Sequence, residues 1–450
     1  MNNQAVICET IERHKEAILA AERHIWKNPE TGYKEWKTHA YLKELYEGLG
    51  CRLTEFGNIP GFFTDIDTGR PGPCLAVFGE MDALIVPTHP ECDPETGAVH
   101  ACGHNCQSAA LYGLAAGLTA PGALDGLSGR IRLIAVPAEE LIEFGYRQSL
   151  IESGVIRFFG GKQELLARGV LDDVDLAMMV HTVAGDGFSL ASGSNGCLIK
   201  RFRFSGRSSH AGNSPDKGRN ALYAAELAMS AANALRETFR DDDHVRFHPI
   251  ITAGGDSVNA VPDCVSGEAY LRAASMEAIG RYNERINRAF AAAAAAMGCG
   301  LTIEDRHGYA PRRYDPVMTT AAAAAAEELF PPEKIRLNGP FSGGCSDMGD
   351  VSSVMPVIHP HIGGFTGSAH GSDLVITDPY LATVMSAKLQ ALTAVRLLEN
   401  DAAIARKAVS EARLEYGSIP EYLEAVRKLS FTGEAVRPQE DGSILLKYKP

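Results

Sequence analysis

The segment PCLAVFGEMDAL, residues 73–84, is a short apolar run that closes on charged residues. The chain around it repeats this alternation, with helical CQSAALYGLAAGL (106–118), apolar GRIRLIAVPAEE (129–140) and apolar VDLAMMVHTV (174–183). Strand-like runs separated by helical stretches predict parallel strands with crossover helices, an α/β fold arranged as an α/β/α sandwich. Polar residues follow these runs at once: Asp82, then Glu139 and Glu140, then His181. Ligands of parallel α/β sheets bind in the crevice at the carboxyl ends of the strands. The spacing therefore gathers these residues at one edge.

Near residue 192 the pattern changes. SLASGSNGCLIKRFRFSGRSSHAG (189–212) alternates imperfectly with period two, then NALYAAELAMSAANALRETF (220–239) reads as a long helix. A further strand region (245–275) and an Ala-rich helix (276–298) complete a β-α-β-β-α order, which suits a small α+β domain with two helices on one sheet. The expected organisation is a catalytic α/β/α domain in two parts, residues 1–191 and 309–450, around an inserted α+β domain, residues 192–308. The alanine runs in 290–298 and 319–330 read as helix, because alanine has the highest helix propensity.

Composition narrows the function. A chain of 450 residues with 45% hydrophobic content can build a sizeable core. Lys+Arg 43 against Asp+Glu 56 gives a net charge of -13, which repels phosphate backbones and anionic lipid, so neither nucleic acid nor membrane is expected as a partner. The start of the chain reads as an amphipathic helix without the apolar core of a secretory signal, and no apolar run reaches the roughly 18 residues of a membrane span. The ten cysteines are scattered, as free thiols in a reducing cytoplasm would be, so a cytoplasmic location is expected.

VHACGHNCQ (99–107) carries the densest chemistry. Cys102 and His104, two residues apart, would face different sides of a regular helix, but in a loop before a helix they can converge on one ion. Asn105 could cap that helix, whose amino end would favour a Cys102 thiolate. Glu139 and Glu140 end an apolar run, where neighbours point opposite ways. That division suits metal-assisted hydrolysis: one carboxylate binds metal while the other is the general base for the attacking water. With His181 and with His370 of GGFTGSAHGSD (363–373), Cys102, His104 and Glu140 make a five-ligand set for one or two divalent ions such as zinc or manganese.

HACGHN, PAEE, VHT, SSHAG, VNAVPD and the late His370 occur in an order that resembles the metallo-amidohydrolases and metallopeptidases, among them aminoacylases, carboxypeptidase G, auxin-conjugate hydrolases and aminobenzoyl-glutamate hydrolases. HIWKNPETGYKEWKTHAYL (24–42) extends the resemblance, which spans roughly residues 20 to 400. HACGHN with SDMGDVSSVMP (346–356) is most similar to the aminobenzoyl-glutamate hydrolases and cytosolic β-alanyl-dipeptidases. The resemblance implies that Cys102, His104, Glu140, His181 and His370 bind metal and that Glu139 is the base. It implies a homodimer through the inserted domain, which acts as a lid, with His210 reaching across to the site of the other protomer to stabilise the oxyanion. Asn259 and Arg272 match positions used for substrate, and the substrate is a small amide: an N-acyl amino acid or a dipeptide. Many relatives continue the loop as GHDGH, where this chain has Asn105 and Gln107; that departure bears on the number of ions and on the substrate.

Other classes fit less well. A cysteine hydrolase built on Cys102 needs neither the glutamate pair nor the distant histidines. A structural zinc knuckle takes four ligands from short local spacings, unlike a set spread from 102 to 370. A non-catalytic dimeric metal-binding or regulatory protein on the same fold would be favoured by loss of Glu139 or several ligands, and all are present.

Overall fold

The computed structural model describes residues 3–447, so the outermost residues of the two expected catalytic segments lie outside it. The chain forms two compact units. The first runs through Gly193 and takes back Arg312–Ser342 and Ser346–Ile419; the second holds Ser194–Pro311, Gly343–Cys345 and the chain from Pro420.

The first unit is the expected α/β sandwich. Its main sheet runs Thr54–Glu55, Phe62–Asp67, Arg130–Val136, Cys74–Glu80, Leu176–Met178, Val357–Ile358. The last four strands are parallel, and the first two add antiparallel to one edge. All seven residues of Cys74–Glu80 are buried, as expected of a central strand covered on both faces. The helix His104–Leu118 packs on this strand and is buried along its whole length. Its small residues make that possible: a Cβ on Gly117 would fall 2.8 Å from Ile7 Cγ2, and one on Gly113 2.7 Å from Ile18 Cδ1. The chemistry-bearing loop is thereby anchored at the amino end of a helix that cannot move far in a close-packed core.

A smaller sheet in the same unit pairs Phe188–Ala191 with Ile335–Gly339 and with His361–Thr366, which also takes Val375–Ile376 and His181–Ala184. The last pairing is parallel and sets His181 opposite His361. One helical stretch, Tyr380–Glu411, is long and apolar enough to cross a membrane by length and composition, which the sequence reading missed. Its most apolar window is 83% buried inside the protein, so its apolar surface is spent on the core.

The second unit has one antiparallel sheet, ordered Arg246–Ala253, Cys264–Ala273, Gly196–Ser205, Gly300–Tyr309, Phe431–Pro438, Ile444–Leu446. The helices Ala221–Ala234 and Met276–Ala296 pack against it. The carboxyl-terminal boundary differs from the expected one. Residues from Pro420 onward leave the first unit because Phe431–Pro438 hydrogen-bonds along Gly300–Tyr309, satisfying backbone groups that would otherwise form an open edge. The imperfect alternation near residue 200 also has a physical cause. Lys200 points into the interior and forms a short ion pair with Asp305, whose other oxygen accepts from Asn283 and Asn287, both at 2.7 Å.

Removing one partner of such a pair strands the other charge. Lys200→Met should lower unfolding free energy by about 3–5 kcal/mol, and adding Asp305→Leu should recover most of the loss. Urea denaturation of the three proteins checks this; equal stability of Lys200→Met and parent would contradict it.

Candidate metal centre

The strand ends deliver their polar residues to one place, as the spacing predicts. Glu80 ends the central strand and Asp82 follows it; Glu139 and Glu140 follow Arg130–Val136; His181 opens the segment after Leu176–Met178. Cys102 and His104 come from the loop that starts the buried helix, where Gly103 takes φ +85° and turns the chain. His370 arrives on the Gly367–Asp373 loop, and its N–H donates to Ala101 O at 2.8 Å.

Metal-capable atoms within 4.8 Å of one another form overlapping groups: Cys102, His104 and His181; Cys102, Glu140 and His370; His104, Glu139 and Glu140; and Glu80, Glu139 and Asp347. All five expected ligands and Glu139 thus belong to one connected cluster. Cys102 Sγ lies 3.5 Å from His181 Nε2, and His370 Nε2 lies 3.1 Å from Glu140 Oε1. Two atoms sharing one tetrahedral zinc stand about 3.5 Å apart for sulfur with nitrogen and about 3.3 Å for nitrogen with oxygen. The other facing contacts run within the cluster as well, with His104 Nε2 3.2 Å from Glu80 Oε2, so the buried donor atoms have one another as neighbours. The donor set therefore fits a divalent metal.

The ring orientations are held from behind. His104 Nδ1–H donates to Asp82 O at 2.9 Å and Oδ1 at 3.1 Å, which leaves the Nε2 lone pair facing the cluster. His181 Nδ1–H donates to Thr182 O at 2.6 Å and directs its Nε2 to Cys102 in the same way. Asp82 Oδ2 also accepts from Glu140 N at 2.8 Å, so one carboxylate ties two of the groups.

Glu139 and Glu140 do not split to opposite sides. Ala138 takes φ +57°, which breaks the strand alternation and turns both carboxylates toward His104. Holding a non-glycine residue there costs energy that the surroundings must supply. Ala138 N donates to the buried Glu35 at 2.7 Å, and the buried Arg147 donates to Glu140 O. Asn105 is no cap either. Gly103 occupies the cap position, and the Asn105 amide donates to the buried Glu22 at 2.7 Å. Gln107 remains in the network through Glu80, at 2.9 Å.

Charge is concentrated here. Burial, then Glu80, Glu140 and Asp347, push the Glu139 carboxyl well above the carboxylate range. Burial and Cys102 raise Glu140 to about 7, against the opposing hydrogen bond of His370. Burial opposes ionisation of Cys102, yet His104 and His181 hold its thiol well below the usual value. Hydrogen bonds to Cys102 and Glu140 raise His370 to about 10.

Sequence reasoning missed the cationic counterpart. Lys162 is completely buried and donates to Glu80 Oε1 and Asp347 Oδ1, each at 2.5 Å. Glu80 sits in PCLAVFGEMDAL and Asp347 in SDMGDVSSVMP, both segments with a readable pattern; a lysine in GGKQELL gives no sign of burial. Arg312, His359 and His361 were also missed. The remaining expected residues lie in the second unit. His210 is exposed, and its Nδ1 accepts from Gly212 N at 3.2 Å and Asn213 N at 3.0 Å, so a neutral ring carries its proton on Nε2. The Asn259 amide lies 3.5 Å from that atom. Arg272 does not join this pair: it donates to Gly343 O at 3.3 Å and lies 3.7 Å from Cys345 Sγ.

A two-layer-covered parallel sheet with a thiolate, imidazole and carboxylate cluster at its strand ends defines a metal-dependent hydrolase class. Comparison with known proteins agrees: residues 76–391 match the model of Peptidase family M20/M25/M40, and the chain belongs to that family. It is a metal-dependent enzyme that hydrolyses amide or peptide bonds. The chain is 29% identical to mouse Xaa-Arg dipeptidase over 371 residues, 78% of each chain. It is 30% identical to one of the p-aminobenzoyl-glutamate hydrolase subunits of Escherichia coli over 321 residues, 70% of this chain and 62% of that one. Among solved structures it is similar to a putative aminohydrolase from methicillin-resistant Staphylococcus aureus (TM-score 0.72, 22% identity, 89% and 100% of the two chains). It is also similar to a Bacillus subtilis protein described as a dinuclear metal-binding peptidase (TM-score 0.66, 21% identity, 86% and 99%).

Glu22, pressed under this site, gives a pH signature. Burial raises its pKa from 4.5 to about 7. The folded protein therefore holds a proton there that the unfolded chain releases: the associated stability is complete below about pH 4.5 and is lost as pH rises through about 7. Glu22→Gln should match the parent at pH 4.5 and exceed it in stability by an amount on the order of 1–3 kcal/mol at pH 8. Melting curves across this range check it, and a constant difference would refute the assignment.

Proposed function

We propose that the protein cleaves the amide bond of a small N-acyl amino acid (aminobenzoyl-, acyl- or aminoacyl-) or a dipeptide, with Glu139 as general base. The observation that carries this reading is the convergence of Glu139 and Glu140 on His104, with only Glu140 also drawn to Cys102 and His370. Cys102, His104, Glu140, His181 and His370 would hold one or two ions, zinc or manganese. Such ions, when bound, polarise an amide carbonyl and acidify water.

Glu139 accepts a proton from the attacking water and delivers it to the leaving amine. Burial and the neighbouring carboxylates raise its proton affinity above that of an ordinary carboxylate, which favours taking a proton from water. Lys162 keeps the neighbouring carboxylates Glu80 and Asp347 compensated, so that Glu139 exchanges protons without three like charges beside it. Arg147 and Asp82 fix the backbone of Glu140, at its carbonyl and its amide.

The second unit supplies the dimer in this reading. Its edge strand Arg246–Ala253 exposes Ile250 and Ile251, and the helix Ala221–Ala234 exposes Tyr223 and Leu227. An unpaired strand edge with apolar side chains favours pairing with a second copy. His210 would then donate Nε2–H to the oxyanion in the site of the other protomer, and Asn259 and Arg272 would bind substrate. A cytoplasmic location goes with this reading and with the absence of disulfides among the described cysteines.

Turnover of aminobenzoyl-glutamate, N-acyl amino acids or β-alanyl dipeptides with manganese or zinc tests the substrate class; no turnover of any of them overturns it. Glu139→Gln should keep its metal, measured by elemental analysis, and lose at least about two orders of magnitude in kcat. Retention of more than about a tenth of the activity would remove Glu139 from the role of base.

Sharing of the site between protomers has a separate test. His210→Ala and Glu139→Gln should each be nearly inactive, while exchanged heterodimers regain one site holding both residues and recover activity. Inactive heterodimers would place His210 outside the shared site.

A further inference from the structure

Arg312 belongs to the first unit and is 6% exposed. Its Nη1 makes a short hydrogen bond to His359 Nδ1, and the Tyr314 ring lies 5.5 Å from the guanidinium carbon. No carboxylate pairs with it among the described residues, and its buried Nε–H has no hydrogen-bond partner. A guanidinium stays charged at any working pH, and burying a charge without a counter-ion carries a heavy desolvation penalty.

His359 adds a second donor. It is 1% exposed, and because Nδ1 accepts from Arg312 its proton sits on Nε2, which is also buried without a partner. Two neighbouring donors are thus buried with no acceptor, the reverse of what closes a hydrophobic core. The pair borders the metal centre. The His359 ring is 5.9 Å from that of His181 and 5.4 Å from that of the half-buried His361, which itself lies 6.3 Å from His181.

We propose that Arg312 and His359 form an anion subsite beside the metal centre that takes a carboxylate of the substrate. A planar fork with an adjacent N–H suits a planar carboxylate. The net charge of -13 weighs against a polyanion. That the anion is a substrate carboxylate rests on the proposed function; that an anion binds rests on the unpaired donors alone. Its residues are other than Asn259 and Arg272, and the subsite would select molecules that carry a carboxylate.

N-benzoylglycine and N-benzoylglycinamide differ only in this charge, and calorimetry with zinc-loaded Glu139→Gln measures both without turnover. The expected result is a preference of at least about 30-fold for the carboxylate, the size of one charge-assisted hydrogen-bond set. Adding Arg312→Gln should cut that preference below about three-fold while leaving the amide's affinity unchanged. A preference equal in both proteins, or absent from the first, overturns the proposal. If Arg312→Gln does not fold by circular dichroism, His359→Phe, which deletes the Nε2 donor, carries the same comparison. Binding preference without hydrolysis of any panel substrate would overturn the proposed substrate class and leave the subsite standing.

Discussion

Buried like charge is the constraint on which the first unit depends. Glu80, Asp82, Glu139, Glu140 and Asp347 all lie below 9% exposure, and Glu80, Glu140 and Asp347 act by their charge on Glu139. Carboxylates in a low-dielectric interior either take up protons or acquire cations. Lys162 is the permanent cation, held between Glu80 and Asp347. His104 and the metal-capable cluster face the others. A divalent ion held by Cys102, His104, Glu140, His181 and His370 would add positive charge to this group.

Backbone geometry decides which group does what. Ala138 and His370 both sit at positive φ, a conformation that side chains disfavour, and both border the centre. At Ala138 the turn brings Glu139 and Glu140 to the same side, and Glu35 and Arg147 hold it there. At His370 it lets a glycine-rich loop set an imidazole against Glu140. Strain of this kind persists only where surrounding contacts over-determine the chain.

The two units differ in the side chains they present. The first gathers metal-capable side chains at buried strand ends; the second carries Arg272 on its sheet and His210 and Asn259 in the loops beside it. An exposed histidine whose Nδ1 is occupied by two backbone amides is already set as a donor at Nε2.

Periodicity and spacing alone determined the α/β architecture, the inserted α+β segment and the gathering of Asp82, Glu139, Glu140 and His181, because strand ends follow directly from where apolar runs stop. The motif order brought in Cys102, His104 and His370. Tertiary structure decided the rest. Strand pairing with Gly300–Tyr309 moved the chain after Pro420 into the second unit, a long-range backbone contact that leaves only a weak local pattern. The left-handed turn at Ala138 defeated the alternation rule, and close packing sent Asn105 to Glu22 instead of to a cap. Lys162 and Arg312 carry no local sign of burial, since a charged side chain announces it only through partners far away along the chain or, for Arg312, through the lack of one.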